Sequence, residues 1–160
     1  MTIIVQNTII RGIKDDEKEG RTLLITRETD YALRILRALA DGKLLNSAAI
    51  CEQEALPQHF TYKILKKLNK AGVIRILRGV EGGCQLTADL KMLSLYDLIS
   101  ITEGQRAISS CMEANFQCQW QQKFGSRCQI HQNLQVIQNS LDQQLKTYSI
   151  YDMLFKEKSC

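Results

Sequence analysis

Cys111, Cys118 and Cys128, followed by His131, put three soft thiolate donors and an imidazole within 21 residues of a Gln-rich stretch. Donors of this kind hold iron, zinc or an iron-sulfur cluster. The spacing C-x6-C-x9-C-x2-H lacks the paired CxxC of a zinc ribbon and runs straight into a long amphipathic pattern, which points to a cluster before structural zinc. The competing readings are cysteines packed as small hydrophobes, or two of them joined as a disulfide.

A chain of 160 residues, 44% of them hydrophobic, can bury one core plus a helical appendage. No segment approaches the roughly 20 apolar residues needed to span a bilayer. The N-terminal MTIIVQNTII has neither a basic n-region nor a small-residue cleavage site. A cytoplasmic protein is therefore expected, with six cysteines used for metal binding or redox sensing rather than as a disulfide framework. The net charge of +4 is unevenly spread. Residues 21–88 carry eleven Lys and Arg against six Asp and Glu, a net of +5, whereas residues 89–160 carry seven of each. Such asymmetry suggests a polyanion partner for the first segment, since phosphate contacts release condensed counterions.

The elements that must carry these groups follow in order. Residues 1–22 end in the charged IRGIKDDEKEG and read as a disordered extension. Residues 23–90 read as a DNA-binding domain. Thr26 is the expected cap of a first helix in which Ala32, Ile35, Leu36 and Leu39 recur at helical spacing, with Gly42 closing the segment. A second helix starts at Ser47, and a third, PQHFTYKILKKLNKAG, has Pro57 in its first turn and stops at Gly72. Val73, Ile74, Ile76 and Leu77, then the turn RGVEGG, then CQLT, form a β-hairpin. Three helices and a hairpin in this order make a winged helix-turn-helix. The fold expected is mainly α with a small β-hairpin.

In the third helix Phe60, Ile64, Leu65 and Leu68 are read as the core face. Gln58, His59, Thr61, Tyr62, Lys63, Lys66, Lys67 and Lys70 are left for DNA, with Arg78 at the wing turn and Gln58, Thr61 and Tyr62 as readers of base edges. Residues 91–160 supply the cysteine loop and a dimerisation helix. Leu95, Leu98 and Ile99 mark a connecting helix. Beyond Cys128, Ile130, Leu134, Ile137, Leu141, Leu145 and Tyr148 repeat at steps of four and three, a stripe that calls for a twofold mate. The terminal YSIYDMLF is expected to pack back onto that dimer, Cys51 to lie in the core, and Cys160 to be disordered.

LITRETDYALRIL, YKILKKLNKAGVI, RGVEGGCQL, the three-cysteine loop and YSIYDML together resemble the winged-helix iron-sulfur regulators that include IscR, NsrR and RirA, over residues 24–155. The resemblance implies a dimeric, cytosolic transcription regulator, usually a repressor, whose operator affinity follows the state of a 2Fe-2S or 4Fe-4S cluster sensing iron, redox or nitric oxide status. It implies Cys111, Cys118 and Cys128 as cluster ligands. For the fourth, His131 matches the IscR-like C-x2-H, and Asp30 in TDYAL matches the aspartate of NsrR-like members; the longer match at TDYALRIL favours Asp30. The spacers between the cysteines are longer than in IscR. A winged-helix regulator working through zinc or thiol oxidation is the alternative. A redox enzyme is not expected, because no Gly-rich nucleotide loop follows a strand and no catalytic dyad is seen.

Overall fold

Thr26 starts the first helix as the sequence requires. Its hydroxyl accepts the Glu28 amide at 3.1 Å, and Glu28 and Asp30 sit in the first turn of α1 (Arg27–Ala38), where the helix dipole favours negative charge. In the computed structural model, residues 25–79, 82–104, 107–113, 115–125 and 127–157 are described. The expected extension 1–22, the wing-tip residues Val80 and Glu81, and Cys160 lie outside them.

Asn46 caps α2 (Ser47–Glu54) by accepting the Ala49 amide at 2.8 Å. Pro57 stands just before α3 (Gln58–Lys70), as its cap rather than inside its first turn. The wing is an antiparallel pair, β1 (Ile74–Leu77) and β2 (Gly83–Leu86), in register from Ile74 opposite Leu86 to Leu77 opposite Gly83. Leu45 bridges to Cys84 and ties the α1–α2 connection to the wing. Gly83 is needed there, because a Cβ at that position would lie 2.8 Å from the Leu45 carbonyl oxygen.

A capping box between Ser94 and Asp97 starts α4 (Leu95–Glu103). A single 3-10 turn (Ser110–Met112), α5 (Gln119–Phe124), the 19-residue α6 (Gln129–Thr147) and α7 (Ile150–Phe155) complete the order. The core joins Ile35, Leu36 and Leu39 of the first helical segment to Ile64 and Leu68 of α3, Leu98 of α4 and Ile150 of α7. The expected winged helix-turn-helix with a long appended helix is thus present. The terminal segment, expected to pack back onto the dimer, inserts Ile150 into the core of its own chain and leaves Tyr151, Met153 and Phe155 exposed.

Two assignments in α3 exchange places. Thr61 is fully buried, whereas Phe60 is 42% exposed. Positions 61, 64, 65 and 68 follow the i, i+3, i+4, i+7 rule for one helix face, and Phe60 falls about 100° away from Thr61 around the axis. Thr61 tolerates burial because its hydroxyl donates to the Pro57 carbonyl at 3.1 Å. Phe60 rests edge-on against Tyr31 and His59. Thr61 is therefore withdrawn from the surface that could read bases. Cys51, expected in the core, is only half-buried, and Cys84 takes the buried place; burial pushes its thiol pKa up.

Candidate DNA interface and cysteine cavity

Four lysines on α3 divide between two jobs. Lys63 and Lys67 both turn toward α1 and pair with the Glu28 carboxylate, and Lys67 also donates to the Thr102 carbonyl at the end of α4. Burial works against ionisation of Glu28, yet the two ammonium groups outweigh it and hold its pKa below the ordinary carboxylate value. Lys66 and Lys70 are exposed and make no ion pair among the described residues. They, with Gln58, His59 and Tyr62, form the open face of the helix.

That face borders a groove of about 620 Å³ between α3, the start of α2 and the wing, lined among others by Ser47, Tyr62, Lys66, Asn69 and Arg78. Ser47 donates to the Tyr62 hydroxyl at 3.0 Å, and the Asn69 side chain accepts the Ile76 amide at 3.0 Å, which fixes the wing to α3. A cationic groove framed by a helix and a wing can hold a phosphate backbone while side chains reach the bases. Ser47 is a groove residue that the sequence marks only by its place in the first turn of a helix.

Glu103 carries the fold from the DNA face toward the cysteines. Its carboxylate accepts hydrogen bonds from Thr26 and, at 3.0 Å, from Thr29, while Thr29 meets Thr102 at 2.6 Å in the core. The chain leaves α4 at Gly104 (φ +79°) and docks again where the Ile108 amide donates to the side-chain Oε1 of Gln138 at 2.8 Å. Cys111 lies in the 3-10 turn, 3.3 Å from the Ser109 hydroxyl oxygen. Cys118 precedes α5, and Cys128 precedes α6, neither capping its helix through the side chain.

Cys111, Cys118, Cys128 and His131 nevertheless line one cavity of about 520 Å³, walled by Phe116, Trp120 and Ile130. Asp30 is not at this cavity; it lies on α1, 3.2 Å from Arg34. The donor set and the apolar walls fit an iron-sulfur cluster in kind. Among the described residues, however, no three Cys, His, Asp or Glu side chains converge as a metal site, so ligation requires the loop to close.

The family model for Rrf2, described as an iron-dependent transcriptional regulator, matches residues 25–156. The chain belongs to the Rrf2 family. Protein aau3 of Rhizobium meliloti is 29% identical over 133 residues, covering 81% of this chain and 84% of that one. The HTH-type transcriptional regulator NsrR of Bacillus subtilis is 31% identical over 94 residues, 57% and 64% of the two chains. A Listeria innocua transcriptional regulator has the same fold at a TM-score of 0.65 with 22% identity, covering 84% of this chain and 88% of that one. CymR, described as the global cysteine regulator of B. subtilis, gives 0.60 with 19% identity over 85% and 99%; T. potens IscR gives 0.59 with 16% identity over 87% and 95%. As a member of the Rrf2 family the chain is a transcriptional regulator of winged-helix fold, and its relatives are regulators rather than enzymes. Rrf2 regulators bind DNA and are generally dimeric. Among the described residues no helix is long and apolar enough to cross a membrane.

Proposed function

We propose that this Rrf2 protein is an operator-binding repressor whose DNA affinity is set by an iron-sulfur cluster held by Cys111, Cys118 and Cys128. The observation that carries this reading is that the three thiols line one apolar-walled cavity together with His131. Within one chain His131 lines the cavity and Asp30 does not, which supports His131 as the fourth donor beside the Asp30 that the TDYALRIL match favours. When bound, the cluster would supply a centre that changes with iron supply, redox state or nitric oxide.

The chain's own residues can transmit that change. Closing the loop over residues 107–128 pulls on the exit of α4, and that exit is fastened to α1 through Glu103 and to α3 through the Lys67–Thr102 bond. A shift there alters how α3 stands against the rest of the domain. In a dimer whose half-sites lie about one helical turn, roughly 34 Å, apart, a small rotation misplaces one reading helix. The dimer is built by α6, whose Ile130 and Ile137 are 70% and 55% exposed in the single chain.

The second reading, thiol oxidation or zinc without a cluster, draws on the likeness to CymR, described as a global cysteine regulator. Protein purified without oxygen separates the two. Visible charge-transfer absorption with stoichiometric iron and sulfide supports the cluster; a colourless protein, with or without zinc, overturns it.

A further inference from the structure

Gln138 is the one residue of α6 that is buried, at 8% exposure, on a helix that leaves Ile130, Val136 and Ile137 in the open. An amide in that place needs its partners, and both of its ends have one. Its carbonyl oxygen accepts the Ile108 amide at 2.8 Å, and its NH2 group donates to Asp142, one helical turn on, also at 2.8 Å. Asp142 therefore fixes the flip of the amide so that its acceptor faces the incoming chain. Three residues after Ile108 comes Cys111, in a 3-10 turn that packs on α6. Cys128 stands at the N-cap of the same helix, ten residues before Gln138, or roughly 15 Å along the axis.

Two of the three thiols are thus referred to one rigid element, Cys128 directly and Cys111 through a single side chain. We propose that Gln138 is a positioning residue that seats the Cys111 turn on α6 and so sets how closely Cys111 and Cys128 approach across the cavity. The seating is a property of the chain itself; its consequence for cluster assembly rests on the function proposed above. Leucine at 138 would keep the burial and remove the acceptor, leaving the Ile108 amide without its partner. The double substitution Gln138→Glu with Asp142→Asn keeps a side-chain acceptor for the Ile108 amide and lets the new amide at position 142 donate to the new carboxylate at position 138, so both bonds are restored and only the one between 138 and 142 is reversed.

The test begins on metal-free protein with intact helicity by circular dichroism. Hydrogen exchange reads the Ile108 amide, and dibromobimane, which bridges two nearby thiols, reads Cys111 against Cys128 by peptide mass. Gln138→Leu is expected to speed Ile108 exchange by about fivefold, the equivalent of one neutral hydrogen bond, and to lower the yield of the Cys111–Cys128 bridge. The double variant is expected to recover both. In cluster-loaded protein the same pair should show faster and then restored iron release to a chelator. Wild-type exchange and bridging in Gln138→Leu would overturn the proposal, as would a double variant that fails to recover while remaining helical. If wild-type protein takes up no iron and sulfide but the exchange and bridging results hold, the seating stands and the cluster function falls.

Discussion

Lysines that look alike in sequence differ in what they touch, and this separates their expected phenotypes. Lys66→Ala should weaken binding to operator and random DNA alike and lower the salt slope by about one, as expected for an exposed ammonium at the groove that has no ion pair among the described residues and is free to meet phosphate. Lys67→Ala should leave the salt slope close to wild type and reduce stability, since its charge is spent on Glu28 and on the Thr102 carbonyl. Salt titrations of both variants, with thermal melts beside them, check the split. Arg78→Ala should cost operator binding about 1 to 3 kcal/mol more than random DNA if the wing enters a narrow minor groove; equal losses on both would assign it to phosphate. At the cavity, Cys111→Ala, Cys118→Ala and Cys128→Ala should each abolish stable iron and sulfide binding in a folded protein. His131→Ala should change the spectrum, and Asp30→Ala should leave it as it is; the opposite pair of spectra would move the fourth ligand to α1.

The joints between helices carry the pH and stability predictions. Glu28 has a lowered folded pKa, so it contributes stability that is fully present above its unfolded value, near 4.3, and lost as pH falls through the lower folded value. Glu28→Gln should flatten the acid arm of the stability curve in that window and cost about 1 to 2 kcal/mol at neutral pH. Unfolding measured by urea titration from pH 3 to 7 decides it, and parallel curves would contradict the assignment. Between α1 and α2, Arg37 reaches the buried Glu54 with two guanidinium nitrogens, one at 3.1 Å. Arg37→Ala leaves that carboxylate buried and unpaired, at a cost of about 2 to 3 kcal/mol by thermal melting.

What could be read beforehand was local. Thr26 before an apolar repeat, Ser47 at the start of a short helix, and glycines around a β-prone run each specify their structure within a few residues. The phase of α3 was harder to read, because Phe60 outweighs Thr61 in hydrophobicity while the hydroxyl of Thr61 disposes of itself on the preceding turn. Glu28, Glu103 and Gln138 were invisible for another reason. Each has a partner 30 to 77 residues away, and nothing in a run of ordinary polar residues marks which one will be buried. The cysteines were legible as chemistry, whereas their arrangement around a shared cavity depends on where α4, the 3-10 turn and α6 are placed by the core.

At the scale of the whole molecule, the exit of α4 lies between two surfaces, a cationic groove and a thiol-lined cavity. Differential affinity between cluster states is what makes such a link a switch, and couplings of this kind are worth about 1 to 3 kcal/mol, or roughly 5- to 150-fold. The most direct measurement is the dissociation constant for an operator selected from random DNA, taken on one anaerobic preparation before and after its iron is removed by chelation, at a single salt concentration. A change of about tenfold or more on the operator is expected, with random DNA binding nearly unchanged. Identical operator affinity in the two states, with iron and sulfide shown to be present and then gone, would contradict it.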